Sequence, residues 1–367
     1  MLYKNVLRPL FFVQDSEKAH NRVLAWLNFA SGYPLLLRAI QTLNRYDHPS
    51  LTQNLFGLHF PNPVGLAAGF SKTGAGLPAL ASLGFGFMEI GGVTPIGQIG
   101  NPEPRIFRAV ADEALINRMG FNNPGAIELA NTLLDLETRG RRPKIPIGIN
   151  LGKNKDTPLE RALGDYRFSF IELYHYGDFF VVNVSSPNTK NLRDLQAKES
   201  LRLILDELVD VSDDQAKHNG GQKKPILVKI SPDLTQEAVR DVVEVIRDTA
   251  CHGIVIANTT TSRHGLVTKI NEQGGLSGPP LFERMLHLVR FARKLDSKLP
   301  IIAVGGIRSG DFAPRALRAG ANLVQLYTSL VYEGPRVVPR VKRDIIRGIR
   351  RGNLLPIAKL HPDVVRS

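Results

Sequence analysis

The sequence predicts a (β/α)8 TIM barrel with a small N-terminal helical extension. Three observations predict it. Eight short runs that are apolar, β-branched or flanked by glycine recur along the chain, at residues 63–69, 85–93, 146–152, 179–186, 225–231, 253–259, 300–306 and 323–329. The segments between them are long enough for crossover helices. The runs are also nearly continuously apolar, as parallel strands covered on both faces are, whereas a half-solvated antiparallel sheet would alternate.

In chain order, residues 1–46 form the extension and residues 47–367 the barrel domain. Residues 16–30 and 34–45 read as amphipathic helices, with Asp15 or Ser16 as N-cap and Gly32-Tyr33-Pro34 as the break. Val23, Leu24, Trp26, Leu27 and Phe29, then Leu35, Leu36, Leu37, Ile40 and Leu43, make a large apolar surface with Lys4, Arg8, Lys18, Arg22 and Arg38 nearby. No uninterrupted apolar stretch approaches the roughly 20 residues that cross a bilayer. Such a segment lies on a membrane or packs on its own barrel, and stripes of this kind are more often core. Residues 10–13 are too short a hydrophobic run for a cleavable signal.

Within the barrel, residues 199–211 carry Leu201, Ile204, Leu205, Leu208 and Val209 at helical spacing, and residues 235–250 repeat the pattern with Ala238, Val239, Val242, Val243 and Ile246. Residues 211–224 read as a polar connection on the opposite face from the strands' C-terminal ends. Those ends are where a barrel of this class carries its reacting groups. Here they hold Ala68-Gly69-Phe70-Ser71-Lys72, Asn150, Asn183 with Ser186, Lys229, and Asn258-Thr259-Thr260. One such lysine alone would ordinarily snorkel to solvent; two at strand ends predict a cationic pocket. The last two strands end in Val304-Gly305-Gly306 and Tyr327-Thr328-Ser329, where bare backbone suits a phosphate, and Ser309-Gly310-Asp311 can cap the helix that follows. The long loops 187–198 and 260–280 are expected to be lids.

Composition narrows the function. Net charge is +13, but the basic residues are spread over helices without interleaved aromatics, so no nucleic acid partner is expected. Cys251 is the only cysteine. It excludes an intramolecular disulfide or a cysteine-ligated iron–sulfur cluster, and its place before the sixth strand makes it a buried structural residue. No metal site is expected.

Six motifs in order carry a resemblance that covers nearly the whole chain. They are Gly65-Leu66-Ala67-Ala68-Gly69-Phe70-Ser71-Lys72, Asn117-Arg118-Met119-Gly120-Phe121-Asn122, Asn150-Leu151-Gly152-Lys153-Asn154, Asn183-Val184-Ser185-Ser186-Pro187-Asn188-Thr189, Gly274-Gly275-Leu276-Ser277-Gly278 and Val304-Gly305-Gly306. In these the chain resembles the dihydroorotate dehydrogenases, specifically their membrane-associated, quinone-using class. The resemblance implies FMN held by Ala68, Gly69, Lys72, Gly92, Asn150, Asn183, Lys229, Ala257, Gly278, Gly306, Tyr327 and Thr328. It implies dihydroorotate or orotate contacted by Lys72, Asn117, Arg118, Met119, Gly120, Phe121, Asn183, Asn188, Asn258 and Thr259. Ser186 takes the position of the catalytic base, where soluble relatives have cysteine, in a reaction of de novo pyrimidine biosynthesis. A hydroxyl is a poor base alone, so a water or hydroxyl relay is expected, with Thr259 a candidate member.

The resemblance further implies that the extension contacts an anionic membrane surface and leads a quinone to the flavin, with His20 and Arg108 lining the tunnel. Deleting residues up to about Arg45 is expected to spare reaction with a soluble dye and abolish quinone reduction. A peripheral position on the cytoplasmic face of a bacterial cell membrane is expected, with the mitochondrial inner membrane as the alternative, and no iron–sulfur partner subunit. Three positions depart from the family pattern: Gly92 and Ala257 stand where relatives commonly offer FMN a hydroxyl, and Ser71 replaces a more usual acid. Phe11 stands where some relatives have a polar tunnel residue. The rivals are a tRNA dihydrouridine synthase, which would need a cysteine acid at the mouth, and a lipid-binding relic barrel, which would have no need of Lys72, Ser186 and Lys229.

Overall fold

The computed structural model describes residues 3–219 and 221–360, so residues 1–2 and 361–367 of the two predicted domains lie outside the described residues. The eight predicted runs form the eight barrel strands: β1 (Val64–Leu66), β2 (Phe87–Val93), β3 (Ile147–Leu151), β4 (Phe179–Asn183), β5 (Ile226–Ile230), β6 (Gly253–Ile256), β7 (Ile301–Val304) and β8 (Leu323–Leu326). All pair in parallel, in sequence order, and β8 closes on β1. Each strand is shorter than its run; at β4, β5, β6 and β8 this is because the C-terminal polar residues leave the ladder and turn into the mouth.

Inside the barrel the two-residue repeat sorts side chains into layers. The lower layers are apolar: Phe87, Phe179, Val181, Leu227, Val255, Ile302 and Leu323 pack with Leu55 and Phe60. Those last two belong to a hairpin, Gln53–Leu55 with Leu58–Phe60, that seals the bottom. Aromatic rings fit there because β1 and β3 present glycine. A Cβ on Gly65 would lie 2.3 Å from the Phe87 ring, and one on Gly148 would lie 2.2 Å from that of Phe179.

Two predictions about connections need correction. The helix that begins at Lys198 continues to Asn219, through most of the segment read as a polar connection. Val211 and Ala216 extend its buried stripe beyond Leu208, and Asp213 pairs with Lys223 at 2.8 Å to hold the exit. The loop 260–280 is also partly structured. Gly275–Ser277 pairs antiparallel with Ala114–Asn117, which pairs in turn with Ile106–Ala109, giving a three-stranded flap beside the mouth.

The extension forms helices Ser16–Ser31 and Pro34–Asn44, the first capped by Asp15, whose carboxylate accepts from the Glu17 and Lys18 amides at 3.0 Å. One face packs: Leu27 and Ala30 are buried, and Ser31 Oγ accepts from the Ala79 amide. The other face is open, with Trp26, Phe29, Tyr33, Leu35 and Leu43 all at least half exposed. Among the described residues no single helix is long and apolar enough to cross a membrane, and the two helices meet that test only as a pair bent by 114°. The first residues reach the far end of the chain: the Tyr3 hydroxyl donates to the Val331 carbonyl at 2.6 Å, and Phe12 packs edge-on against Tyr332. Cys251 is buried, its thiol 3.0 Å from the Ile226 carbonyl, as the sequence predicts.

Candidate active site

One step above the apolar layers, the same inward-facing register places polar groups. Glu89, Asn150, Asn183, Lys229 and Gln325 are all buried. Asn150, Asn183, Lys229 and Gln325 form the floor of a cavity at the strands' C-terminal ends, about 1320 Å³ counting its open mouth, and Glu89 lies beneath them. Glu89 accepts from Asn150 Nδ2 at 2.6 Å, Lys229 Nζ at 3.0 Å and Gln325 Nε2 at 2.6 Å. Asn150 Oδ1 accepts from Asn183 Nδ2 at 2.9 Å, and Asn183 Oδ1 accepts from Ser185 and Asn258.

Every residue predicted to hold FMN lines this cavity, including Ala68, Gly92 and Ala257. Nine of the ten predicted substrate residues do so too. The exception is Arg118, whose guanidinium turns away to pair with Glu272 at 2.6 Å and to lie over the Phe107 ring. Ser186 lines the cavity, and its Oγ accepts from the Asn188 amide at 3.3 Å. Thr259 lines it as well, with its amide bonded to Asn258 Oδ1. Gly92 leaves space that Phe121 fills: a Cβ there would meet the Phe121 ring at 2.7 Å. Phe121 has φ +54, a left-handed backbone that turns its ring inward. Ser71 is buried outside the cavity and donates to the Ala75 carbonyl.

At one end of the cavity, Gly278 and Gly306 have φ of +106 and +68, and a Cβ on either would strike backbone or side chain within 2.9 Å. Thr328 Oγ1 and Ser277 Oγ lie 2.8 Å apart beside them. Ser329 Oγ is buried without a protein partner. The expected cap at Ser309 to Asp311 does not form. Asp311 pairs instead with Arg318 at 2.8 Å, and Ser309 Oγ donates to Glu333. The helix that follows has only seven residues.

Lys72 reaches the cavity from the loop after β1 and donates to Asn122 Oδ1. Burial pushes its ammonium down to about 7, with Arg105 adding to the shift and Glu17 opposing it. Arg105 is itself held by Glu17 of the first long helix in a two-pronged pair at 2.7 and 2.8 Å. His20 and Arg108 lie outside the cavity lining. His20 stacks edge-on against Phe70, which stacks against Tyr327 of the cavity wall, so an aromatic path joins the extension to the site. Burial pushes the imidazole down to about 4. Arg108 donates to the carbonyls of Phe11, Phe12 and Gln14 and lies over the Phe12 ring.

Sequence reasoning missed two groups. Glu89 was hidden in an apolar run, although a lone acid on a buried strand needs partners and is itself a signal. Arg193 and Asp233 form a clasp. Arg193 donates to the carbonyls of Ser185 and Thr259 and pairs with Asp233 at 2.9 Å, while Asp233 accepts from the amide and hydroxyl of Thr261. The loops after β4, β5 and β6 are thereby tied together over the site.

A closed parallel barrel whose mouth gathers bare glycine backbone and a lysine-and-amide pocket into one cavity defines a (β/α)8 enzyme with its candidate site at the strands' C-terminal ends. Comparison with known proteins narrows the class. The family model described as dihydroorotate dehydrogenase matches residues 50–349, and the chain belongs to that flavin-dependent family. The "Dihydroorotate dehydrogenase (quinone)" of Chloroflexus aurantiacus is 46% identical, over 94% of this chain and 96% of the relative. The protein of the same description from Gloeobacter violaceus is 46% identical over 95% of each chain. Among solved structures, a ligand-free DHODH from Eimeria tenella superposes with a TM-score of 0.85 at 35% identity, covering 96% of this chain and all of that one.

Proposed function

We propose that the chain oxidises (S)-dihydroorotate to orotate, with FMN in the cavity, Ser186 as general base and a membrane quinone as final acceptor. The observation that carries the reading is the convergence of Lys72, Ser186 and four asparagines beside the glycine cradle in one cavity, in a chain of this family. The residues present fit FMN. Gly278 and Gly306 line the cavity with bare backbone, Ser329 Oγ and Gln325 Oε1 are buried polar atoms that lack a protein partner, and Lys229 supplies a cation on the floor. FMN, when bound, supplies the two-electron acceptor.

The remaining tasks belong to the chain. Lys72 pairs with the substrate carboxylate, and Asn117, Asn183, Asn188 and Asn258 offer both donors and acceptors to a ring that carries both amide types. Ser186 takes the proton from C5 and needs a route to solvent for it. The clasp of Arg193 and Asp233 keeps the Ser186 loop in place and excludes bulk water. Anaerobic addition of dihydroorotate is expected to bleach the visible flavin band. In Ser186→Ala the bleaching is expected to slow by roughly 10²- to 10⁴-fold while orotate still binds. An unchanged rate would remove Ser186 as base.

Membrane association is the second part of the proposal. It is supported by the open apolar face of Trp26, Phe29, Tyr33, Leu35 and Leu43, and by exposed Lys18, Arg22 and Arg38 on the same helices. The path from His20 through Phe70 to Tyr327 supports quinone access from that face. Because Leu27 and Ala30 are buried against the barrel, deletion of the whole extension would also uncover core, and single changes on the open face test the idea more cleanly.

A further inference from the structure

Every amide on the cavity floor points the same way. Asn258 donates to Asn183, Asn183 to Asn150, and Asn150 to Glu89. A chain of amides has two possible senses, and its terminal group selects one. An ionised carboxylate has only acceptors, so it forces the neighbouring amide to present N–H, and each successive amide follows. Glu89 is that terminal group. It is fully buried on β2, and it also holds Lys229 at 3.0 Å and Gln325 at 2.6 Å. Among the described hydrogen bonds, these are its three side-chain donors. All three belong to cavity-lining residues, whereas Glu89 itself does not line the cavity.

We propose that Glu89 is a positioning residue for the redox site: it fixes the sense of the asparagine chain that faces the substrate and offsets the charge of Lys229 where the flavin ring rests. The inference depends on the reading that FMN occupies this cavity. Lys229 without its partner would be an uncompensated buried cation, which favours a ring that has gained electrons and negative charge. With Glu89 in place, the floor is close to neutral while the ring is oxidised. The reduced cofactor is then not over-stabilised, and it can still pass its electrons on.

The protein offers an almost isosteric test. In Glu89→Gln, the new amide oxygen can keep the bonds from Asn150 and Lys229. Its new NH2 can donate to Gln325, whose Oε1 is buried without a partner and becomes available when that amide turns over. The substitution therefore removes the charge and keeps the connections. The experiment is a redox titration of the purified, flavin-loaded full chain. A unit charge lost within about 10 Å at an effective dielectric near 20 shifts the oxidised-to-reduced ratio by roughly tenfold, or about 30 mV for a two-electron couple. Glu89→Gln is expected to shift the midpoint positive by that amount and to slow reoxidation by quinone, with Glu89→Asp returning most of the shift. A folded, yellow Glu89→Gln protein with the wild-type potential overturns the proposal, whatever its thermal stability. If that variant does not retain flavin, Gln325→Met serves in its place. Removing a donor dipole from the carboxylate is expected to move the potential negative, and no movement overturns the proposal equally. A wild-type protein that binds no flavin would instead defeat the underlying assignment of the cavity.

Discussion

Orotate binding is expected to weaken as pH rises through neutrality, because Lys72, the cation proposed to pair with its carboxylate, has been pushed down to about 7 by burial. In the complex the paired carboxylate holds Lys72 protonated well above that value, so binding at higher pH requires uptake of a proton. The apparent dissociation constant then grows as one plus ten to the power of pH minus 7. This gives about a tenfold loss of affinity between pH 6 and pH 8, and uptake of about 0.9 proton per orotate at pH 8. His20 does not interfere, since its imidazole lies near 4. Calorimetry of the flavin-loaded protein in buffers of different ionisation enthalpy measures both quantities. Lys72→Met is expected to bind weakly and without the pH slope. A wild-type affinity that stays flat from pH 6 to 8, or an equal slope in Lys72→Met, would refute the reasoning. The stability of the ligand-free protein runs the other way. A lysine whose folded pKa is depressed destabilises the fold while protonated, below about 7, and that cost is relieved as pH rises toward 10.5.

Three other outcomes follow from the packing. Glu17→Ala removes the close two-pronged partner of the Arg105 guanidinium, whose side chain is only 8% exposed, leaving it the mostly exposed Glu103 at 3.7 Å, and is expected to cost about 3–5 kcal/mol in urea unfolding. Gly65→Ala drives a methyl into the Phe87 ring and is expected to cost about 1–3 kcal/mol, measurable as a lowered Tm with no change in the chemistry at the mouth. Leu35→Asp, at a site 77% exposed, is expected to leave dye reduction and Tm unchanged while weakening vesicle binding and quinone reduction; unaltered vesicle binding would count against the open face as the membrane contact.

The barrel was legible because its signal is redundant. Eight runs such as Phe-Phe-Val-Val-Asn at β4 are too short for helices and too apolar for an exposed sheet, and each ends in the residues that build the site. The mouth residues were legible for the same reason, since strand direction alone places Lys72, Asn150, Asn183 and Lys229 together. What was not legible depends on partners distant in sequence. The strand Gly275–Ser277 has three residues, one of them glycine, and exists because Asn117, Ile116 and Leu115 offer it a ladder. The helix runs on to Asn219 because Val211 and Ala216 find a buried surface on neighbouring elements. The bare position at Gly92 makes sense only with Phe121 seen against it. Arg118 lies in a recognisable motif, yet Glu272 decides where its side chain points.

The contact between Tyr3 and Val331 sets an order of events during synthesis. The extension is made well before the barrel, but the groups it must dock against, Val331 and Tyr332, are made more than 300 residues later. Contacts so distant along the chain form late, and until then Leu27 and Ala30 have no barrel to cover them. A nascent chain in that condition needs somewhere to keep an apolar helix pair. The barrel-facing side of that pair, Leu27 and Ala30, is therefore the last of the extension's apolar surface to be covered, long after it is made.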